Sequence, residues 1–177
     1  KDAIRYANES RMAERSLKTQ VNKLESTELW FHKRTGEYLR NWPTQGKSLL
    51  EVGIGNGHYL HLYPKKANII LGDVTITKEL KKRIRNGMHT VRLSAEDLSF
   101  KDQIFDIYIS HKTIAHLRNV NRARDEIHRV LYKNGLIFLS TVIKGPLGFG
   151  LHKNEKGERV LSEDHINEFK STESLIN

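Results

Sequence analysis

The sequence predicts an α/β fold built on a parallel sheet, and three observations carry that prediction. From Ser48 onward short β-rich apolar runs recur: SLLEVGI, NIILGDV, HTVRLSAE, FDIYISH and GLIFLSTVI. Amphipathic stretches separate them, and each run is nearly continuous rather than alternating, as in strands buried on both faces. The first run ends in a glycine-rich turn, Gly53-Ile54-Gly55-Asn56-Gly57, which leads into a stretch patterned as a helix.

Taken in order, residues 1–46 read as helical, with Thr27 or Ser26 as the cap of a second helix and a break at Pro43. Strands are expected at 47–53, 68–73, 89–95, 105–111 and 135–143, and a helix at His58 to Tyr63. Thr77 caps a helix that turns Leu80 and Ile84 inward and stops at Asn86-Gly87, where glycine takes the left-handed conformation. A further helix starts near Asn119, carries Val120, Ala123, Ile127, Val130 and Leu131 as one apolar stripe, and is expected to end at Asn134-Gly135. The tail predicts one more helix, Ser162 to Lys170.

Composition bounds the function. The chain has 177 residues, 30 Lys+Arg against 21 Asp+Glu, a net charge of +9 and no cysteine. One domain with a real core fits that length. Without cysteine there is no disulfide framework, thiolate zinc site or cysteine nucleophile. No apolar run approaches the ~18 residues of a membrane span, and Lys1 to Trp30 contains no apolar signal-peptide core, so a soluble cytoplasmic protein is expected. Lys1 is not an initiating Met, and the natural chain is expected to begin upstream. The densest basic run, KELKKRIR at Lys78 to Arg85, reads as a solvated helix face before it reads as a nucleic-acid patch, because acidic residues are interleaved through most of the chain.

The glycine turn after a buried strand lets a ligand approach the backbone where a β-carbon would collide with it. A dinucleotide fingerprint places its third glycine where His58 stands. Glu51 beneath the turn would repel a pyrophosphate and attract a cation, which favours S-adenosylmethionine with its sulfonium and ammonium groups. Asp73, ending the second strand, can accept both hydroxyls of a ribose, and Ser94-Ala95-Glu96-Asp97 offers acceptors for an adenine amino group. All lie at the carboxyl ends of strands, where ligands of open α/β sheets collect.

Four segments, LLEVGIGNG, LSAEDLSF, FDIYISHKTIAHL and RARDEIHRVLYKNGLIFLST, resemble the motifs of class I S-adenosylmethionine-dependent methyltransferases, with the ubiquinone/menaquinone-biosynthesis-like enzymes the most similar subgroup. The resemblance covers about Lys47 to Thr141. It implies a Rossmann-like three-layer sandwich: residues 47–177 as the cofactor-binding domain and the helices of residues 1–46 covering its pocket. It implies that Glu51, Gly53 and Gly55 hold the methionine portion, Asp73 the ribose, Ser94, Ala95 and Glu96 the adenine edge, and Ser110 the amino group through its carbonyl. Three departures stand out. Ser94 replaces a usual aspartate, Gly72 and Asp73 are adjacent where the family spaces them by one residue, and the closing antiparallel strand pair is expected beyond Asn177.

Methyl transfer is an in-line displacement dominated by positioning, so it imposes few compulsory side chains. A base helps when the acceptor must lose a proton, and His111 and His116 follow the fourth strand beside the expected acceptor pocket. His116 can equally serve by bonding its loop backbone. His58 and His61 lack an evident third metal ligand, so no metal is expected. Trp30, Phe31, Tyr38 and Trp42 are expected to pack on the sheet, and Phe149 in the loop Gly145 to Gly150 can close over an acceptor. The expected activity is methyl transfer to O, N or C of a small molecule, with S-adenosylhomocysteine as product. An RNA acceptor, above all tRNA, is the alternative, since GNGHYL and ISHKTIAHL are also similar to segments of tRNA wobble-uridine methyltransferases. A non-catalytic cofactor-binding subunit is the other.

Overall fold

Strand order places a ligand crevice before any side chain is considered. The computed structural model of the protein describes residues 26–64, 68–141, 151–153, 159–161, 166, 167 and 169. Its elements are α1 (Ser26–Arg40), β1 (Ser48–Val52), β2 (Asn68–Asp73), α2 (Lys78–Arg83), β3 (Met88–Arg92), β4 (Phe105–His111), α3 (Val120–Val130), β5 (Leu131–Ser140), β6 (Leu151–Lys153) and β7 (Arg159–Leu161). The first five strands form one sheet in the order β3-β2-β1-β4-β5, parallel throughout. The chain steps outward from β1 to β3 and then returns to β1's other side with β4. The order therefore reverses between β1 and β4, and a crevice opens there beyond the strand ends.

Alternating residues of β1 feed two separate cores. Leu49 packs with Leu39, Tyr59, Leu60, Tyr63, Leu71, Leu80 and Ile109 on one face of the sheet. On the other face, Leu50 and Val52 pack with Leu93, Leu98, Tyr108, Ala123, Ile127 and Val130. Three layers follow from this division, as expected for a parallel sheet that must be covered on both faces.

Several element boundaries differ from the sequence expectation, each for a local reason. The helix expected at His58 to Tyr63 is a pair of turns with a short 3₁₀ segment, Leu60–Leu62. Pro64 follows, and the residue before a proline is driven out of the helical region, so Tyr63 is extended at φ −76° and ψ 146°. The stripe helix α3 stops at Val130, short of Asn134-Gly135, because the carbonyls of Arg129 and Val130 accept from the amides of Gln103 and Ile104 and draw the chain into the sheet. Leu131 already pairs with Phe105, and the register then jumps to Ile107 with Leu136, leaving Tyr132 to Gly135 as a bulged excursion. The third strand ends at Arg92, and the turn beyond it is closed by a bridge between Ser94 and Asp97. Thr77 does cap α2, accepting from the Leu80 amide at 3.1 Å, but the helix ends at Arg83 with Ile84 already extended, so Asn86 and Gly87 at φ +85° form the turn into β3 rather than the helix stop expected there.

β6 and β7 pair antiparallel as a two-stranded sheet of their own and add no strand to the five-stranded one. The helix expected at Ser162 to Lys170 is not one where it is described: Ile166 and Asn167 are non-helical, and their amides donate to the Ala115 carbonyl at 2.8 and 2.9 Å. Phe149 and its glycine loop, and the side chains of Trp30 and Phe31, lie outside the described residues. Trp42 meets Phe138 edge-on at 5.2 Å, whereas Tyr38 is exposed rather than packed on the sheet. No helix among the described residues is long and apolar enough to cross a membrane.

One side chain fixes the segment between β3 and β4. Arg129 donates to the carbonyls of Leu98 and Phe100 at 2.7 Å and to Asp102 and Glu126 at 2.7–2.8 Å, while Glu126 accepts from the Leu98 amide at 2.7 Å. These partners hold the Glu126 carboxyl below its ordinary range. Arg129→Ala removes every donor at once, so urea unfolding is expected to show a loss of about 2–3 kcal/mol, the scale of hydrogen bonds to charged groups. A loss below ~0.5 kcal/mol, the scale of exposed ion pairs, would show that the network is surface decoration.

Candidate active site

The crevice between β1 and β4 is floored by the glycine turn. Gly53, Gly55 and Gly57 have φ of +80°, +54° and +73°, the left-handed region in which a side chain is strained. Their surroundings differ. A β-carbon on Gly53 would lie 1.8 Å from Thr113 Oγ1, so the turn is pressed against the segment after β4. On Gly55 it would meet nothing within 4 Å. Backbone is thus bare toward open space, a cradle suited to a ligand that lies directly against the chain.

Asp73 binds that turn to the end of β2. Its Oδ2 accepts from the Gly55 amide at 2.8 Å and its Oδ1 from the Thr75 amide at 3.0 Å. Adjacent Gly72 has its own cause, since a β-carbon there would lie 2.8 Å from Leu93, and its carbonyl accepts from the Gly53 amide at 2.8 Å.

Glu51 lies deep beneath the turn. It is 2 % exposed, and Oε2 accepts from the Tyr63 hydroxyl at 2.8 Å. Burial pushes its carboxyl up to about 8, against the lowering effect of the Tyr63 bond and with a smaller upward push from Asp73. The acid is therefore mainly neutral at pH 7. Tyr63 is itself held well above its ordinary range by burial and by Glu51.

At the end of β3, Ser94 Oγ accepts from the Glu96 amide at 3.2 Å, Ala95 is buried, and Glu96 accepts from the Arg118 amide at 2.6 Å. The turn and the segment after β4 are thereby joined. Ser110 is buried, its hydroxyl donating to the Val52 carbonyl at 2.9 Å across the switch point. Lys112 has φ +53° and donates its amide to the Ser140 carbonyl at 2.6 Å, a left-handed non-glycine residue at the crevice wall.

The two candidate bases part company. His111 Nδ1 lies 3.0 Å from Ser140 Oγ, and its ring sits 4.4 Å from Tyr59 and 5.2 Å from Phe138. His116 belongs to the 3₁₀ segment Ile114–His116, whose carbonyls at Ile114 and Ala115 are engaged by Asn167. His58 contacts Tyr59 edge-on, and no group of metal-ligating side chains forms among the described residues. Tyr63, Thr113, Ser140 and Arg85 escape a sequence reading. Arg85 and Arg83, from the basic run, donate to the carbonyls of Leu60, Tyr63 and Asn56 and hold the loop after β1.

Residues 50–139 match the family described as a methyltransferase domain. The chain belongs to the class I S-adenosylmethionine-dependent methyltransferases. This match gives the class and not a ubiquinone-like subgroup. Among its relatives, the chain is 30% identical over 67% of its length to an uncharacterised protein of Methanocaldococcus jannaschii, covering 58% of it. It is 28% identical over 80% of its length to the malonyl-[acyl-carrier protein] O-methyltransferase of Hamiltonella defensa, covering 52% of it. The chain thus spans a little over half of these curated relatives. A solved S-adenosylmethionine-dependent methyltransferase of Thermotoga maritima superposes with a TM-score of 0.61 and 26% identity, over 85% of this chain and 72% of that one.

The two glycines predict losses of different size. Gly55→Ala meets only the left-handed backbone cost, about 1–2 kcal/mol in thermal or urea unfolding. Gly53→Ala adds the collision with Thr113 and is expected to cost about 1–3 kcal/mol more. Equal losses would mean that Thr113 moves aside freely.

Proposed function

We propose that the methyltransferase transfers a methyl group from S-adenosylmethionine to O, N or C of a small-molecule acceptor, in the cytoplasm. The observation that supports it best is the bare Gly55 backbone tied to Asp73 at the switch point. When bound, the cofactor supplies an activated methyl on a sulfonium leaving group. In this reading Gly53 and Gly55 admit its methionine portion against the backbone, with Glu51 beneath. Asp73 accepts from the ribose. Ser94, Ala95 and Glu96 border the adenine, and the Ser110 carbonyl faces the amino group. Residues 1–46 are assigned to covering the pocket of the domain at 47–177.

His111 takes the acceptor's proton. Ser140 fixes its ring through Nδ1, and Tyr59 and Phe138 confine it. His116 is assigned to shaping its turn. Two similar proteins support a small or carrier-borne acceptor: the malonyl-[acyl-carrier protein] O-methyltransferase, and the Thermotoga enzyme, described as a possible histamine N-methyltransferase. An RNA acceptor is less favoured, because Arg83 and Arg85 of the basic run are engaged with backbone carbonyls.

Calorimetry with S-adenosylmethionine and S-adenosylhomocysteine tests the cofactor assignment. Binding of both is expected, and failure of both alongside tight binding of a nicotinamide dinucleotide would overturn it. Gly55→Val should abolish binding while the chain stays folded. Asp73→Ala should weaken it by about 1–3 kcal/mol. Unchanged affinity would move the ribose contact elsewhere, with Thr75 the next candidate.

A further inference from the structure

The connector from β4 to α3, Lys112 to Asn119, touches both halves of the proposed cofactor site. Near its start Thr113 is pressed against Gly53, and its hydroxyl lies 3.0 Å from the His111 carbonyl and 3.4 Å from that of Val52. Near its end the Arg118 amide donates to Glu96 Oε1 at 2.6 Å, beside the turn after β3. Between these points the chain makes one 3₁₀ turn, Ile114–His116, with Ile114 and Ala115 buried. So short a turn cannot satisfy most of its own carbonyls.

Residues far along the sequence meet those carbonyls. The Ile166 and Asn167 amides donate to the Ala115 carbonyl at 2.8 and 2.9 Å. The Asn167 side chain takes the carbonyls on either side, its Nδ2 donating to Ile114 at 3.2 Å and to Leu117. An amide nitrogen carries two hydrogens, so Nδ2 is fully used, and because both partners are acceptors the orientation of the side-chain amide is fixed. Phe169, two residues on, is buried and pins the same stretch of chain. A turn that borders the crevice is thereby fastened from outside the sheet.

We propose that Asn167 is a positioning residue for the cofactor site: residues 166–169 form a strap that sets the connector, and with it Thr113 and the Arg118 amide, before the cofactor arrives. This rests on the cofactor reading above and adds a remote determinant of affinity to it. A connector released from the strap samples other positions, and the ligand must then select the one in which Thr113 lies against Gly53 and Glu96 holds the Arg118 amide. Apparent affinity falls by the fraction of time spent there. The chemistry of the side chain separates this role from packing. Alanine removes two donated bonds, whereas aspartate keeps the shape of asparagine but has no N–H and turns an anion toward two carbonyl oxygens.

Calorimetric titration of the whole chain with S-adenosylhomocysteine tests the strap, at a temperature where circular dichroism shows each variant folded. Asn167→Ala is expected to bind about tenfold more weakly than the wild type, and Asn167→Asp more weakly still. Wild-type affinity in both folded variants overturns the strap, because a purely structural fastening lowers stability and leaves the folded site unchanged. A larger loss in Asn167→Ala than in Asn167→Asp assigns the effect to packing and overturns it as well. If either variant does not fold, amide exchange in the wild type decides. Saturating S-adenosylhomocysteine should slow exchange of the Ile166 and Asn167 amides more than that of Trp42, whose amide donates to the Leu39 carbonyl at the end of α1. Equal slowing at all three, or none, overturns the strap. A wild-type chain that binds neither S-adenosylmethionine nor S-adenosylhomocysteine overturns the cofactor reading, and the strap's role falls with it.

Discussion

The bond from Asp73 to the Gly55 amide is the constraint on which the site depends. A left-handed glycine turn is entropically expensive, since glycine loses more conformational freedom than any other residue on becoming ordered. Asp73 offsets that by occupying two backbone donors, one on the turn and one at Thr75, with a single carboxylate at a fixed strand end. Thr113 closes the opposite side against Gly53. The turn is thus clamped between β2 and the segment after β4. Both clamps exist only because parallel strand order places β2 and β4 on either side of β1.

Electrostatics around that turn divide by exposure. Asp73 is half-buried and accepts from two backbone amides. Glu51, two residues before Gly53, is sealed beneath the loop with one hydroxyl for company. Sequence position alone makes these two acids look alike, as strand-end carboxylates; what separates them is the depth of each in the low-dielectric interior.

The legible part of the fold was the part set by periodicity. β2 and β4 begin and end where the apolar runs NIILGD and FDIYISH do, because a strand buried on both faces writes its full length as hydrophobic residues. Boundaries set by distant partners were not legible. Nothing in VLYKNG announces that the amides of Gln103 and Ile104 will claim the final carbonyls of α3, and Asn134-Gly135 is a sound stop signal overridden by sheet pairing. The site divides the same way. Glycine spacing and strand-end acids mark the crevice, whereas Tyr63 and Ser140 are ordinary residues until the fold brings them to Glu51 and His111. The basic run is the expected solvated face at Lys78, Lys81, Lys82 and Arg83, all exposed; what the sequence does not announce is that half-buried Arg85 turns back to tie the loop after β1.

The Arg129 hub bears on how binding entropy is distributed. The turn beyond β3, where the adenine is assigned, leads straight into a segment whose carbonyls at Leu98 and Phe100 are held by a residue of the last turn of α3. That segment can open only if the end of α3 lets go, so its local unfolding is tied to a helix that packs Ala123, Ile127 and Val130 into the core. A ligand arriving at the neighbouring turn meets a surface already ordered by folding and does not have to immobilise it. Less of the contact energy is then consumed in ordering, and more appears as affinity. This half of the crevice behaves as a rigid seat.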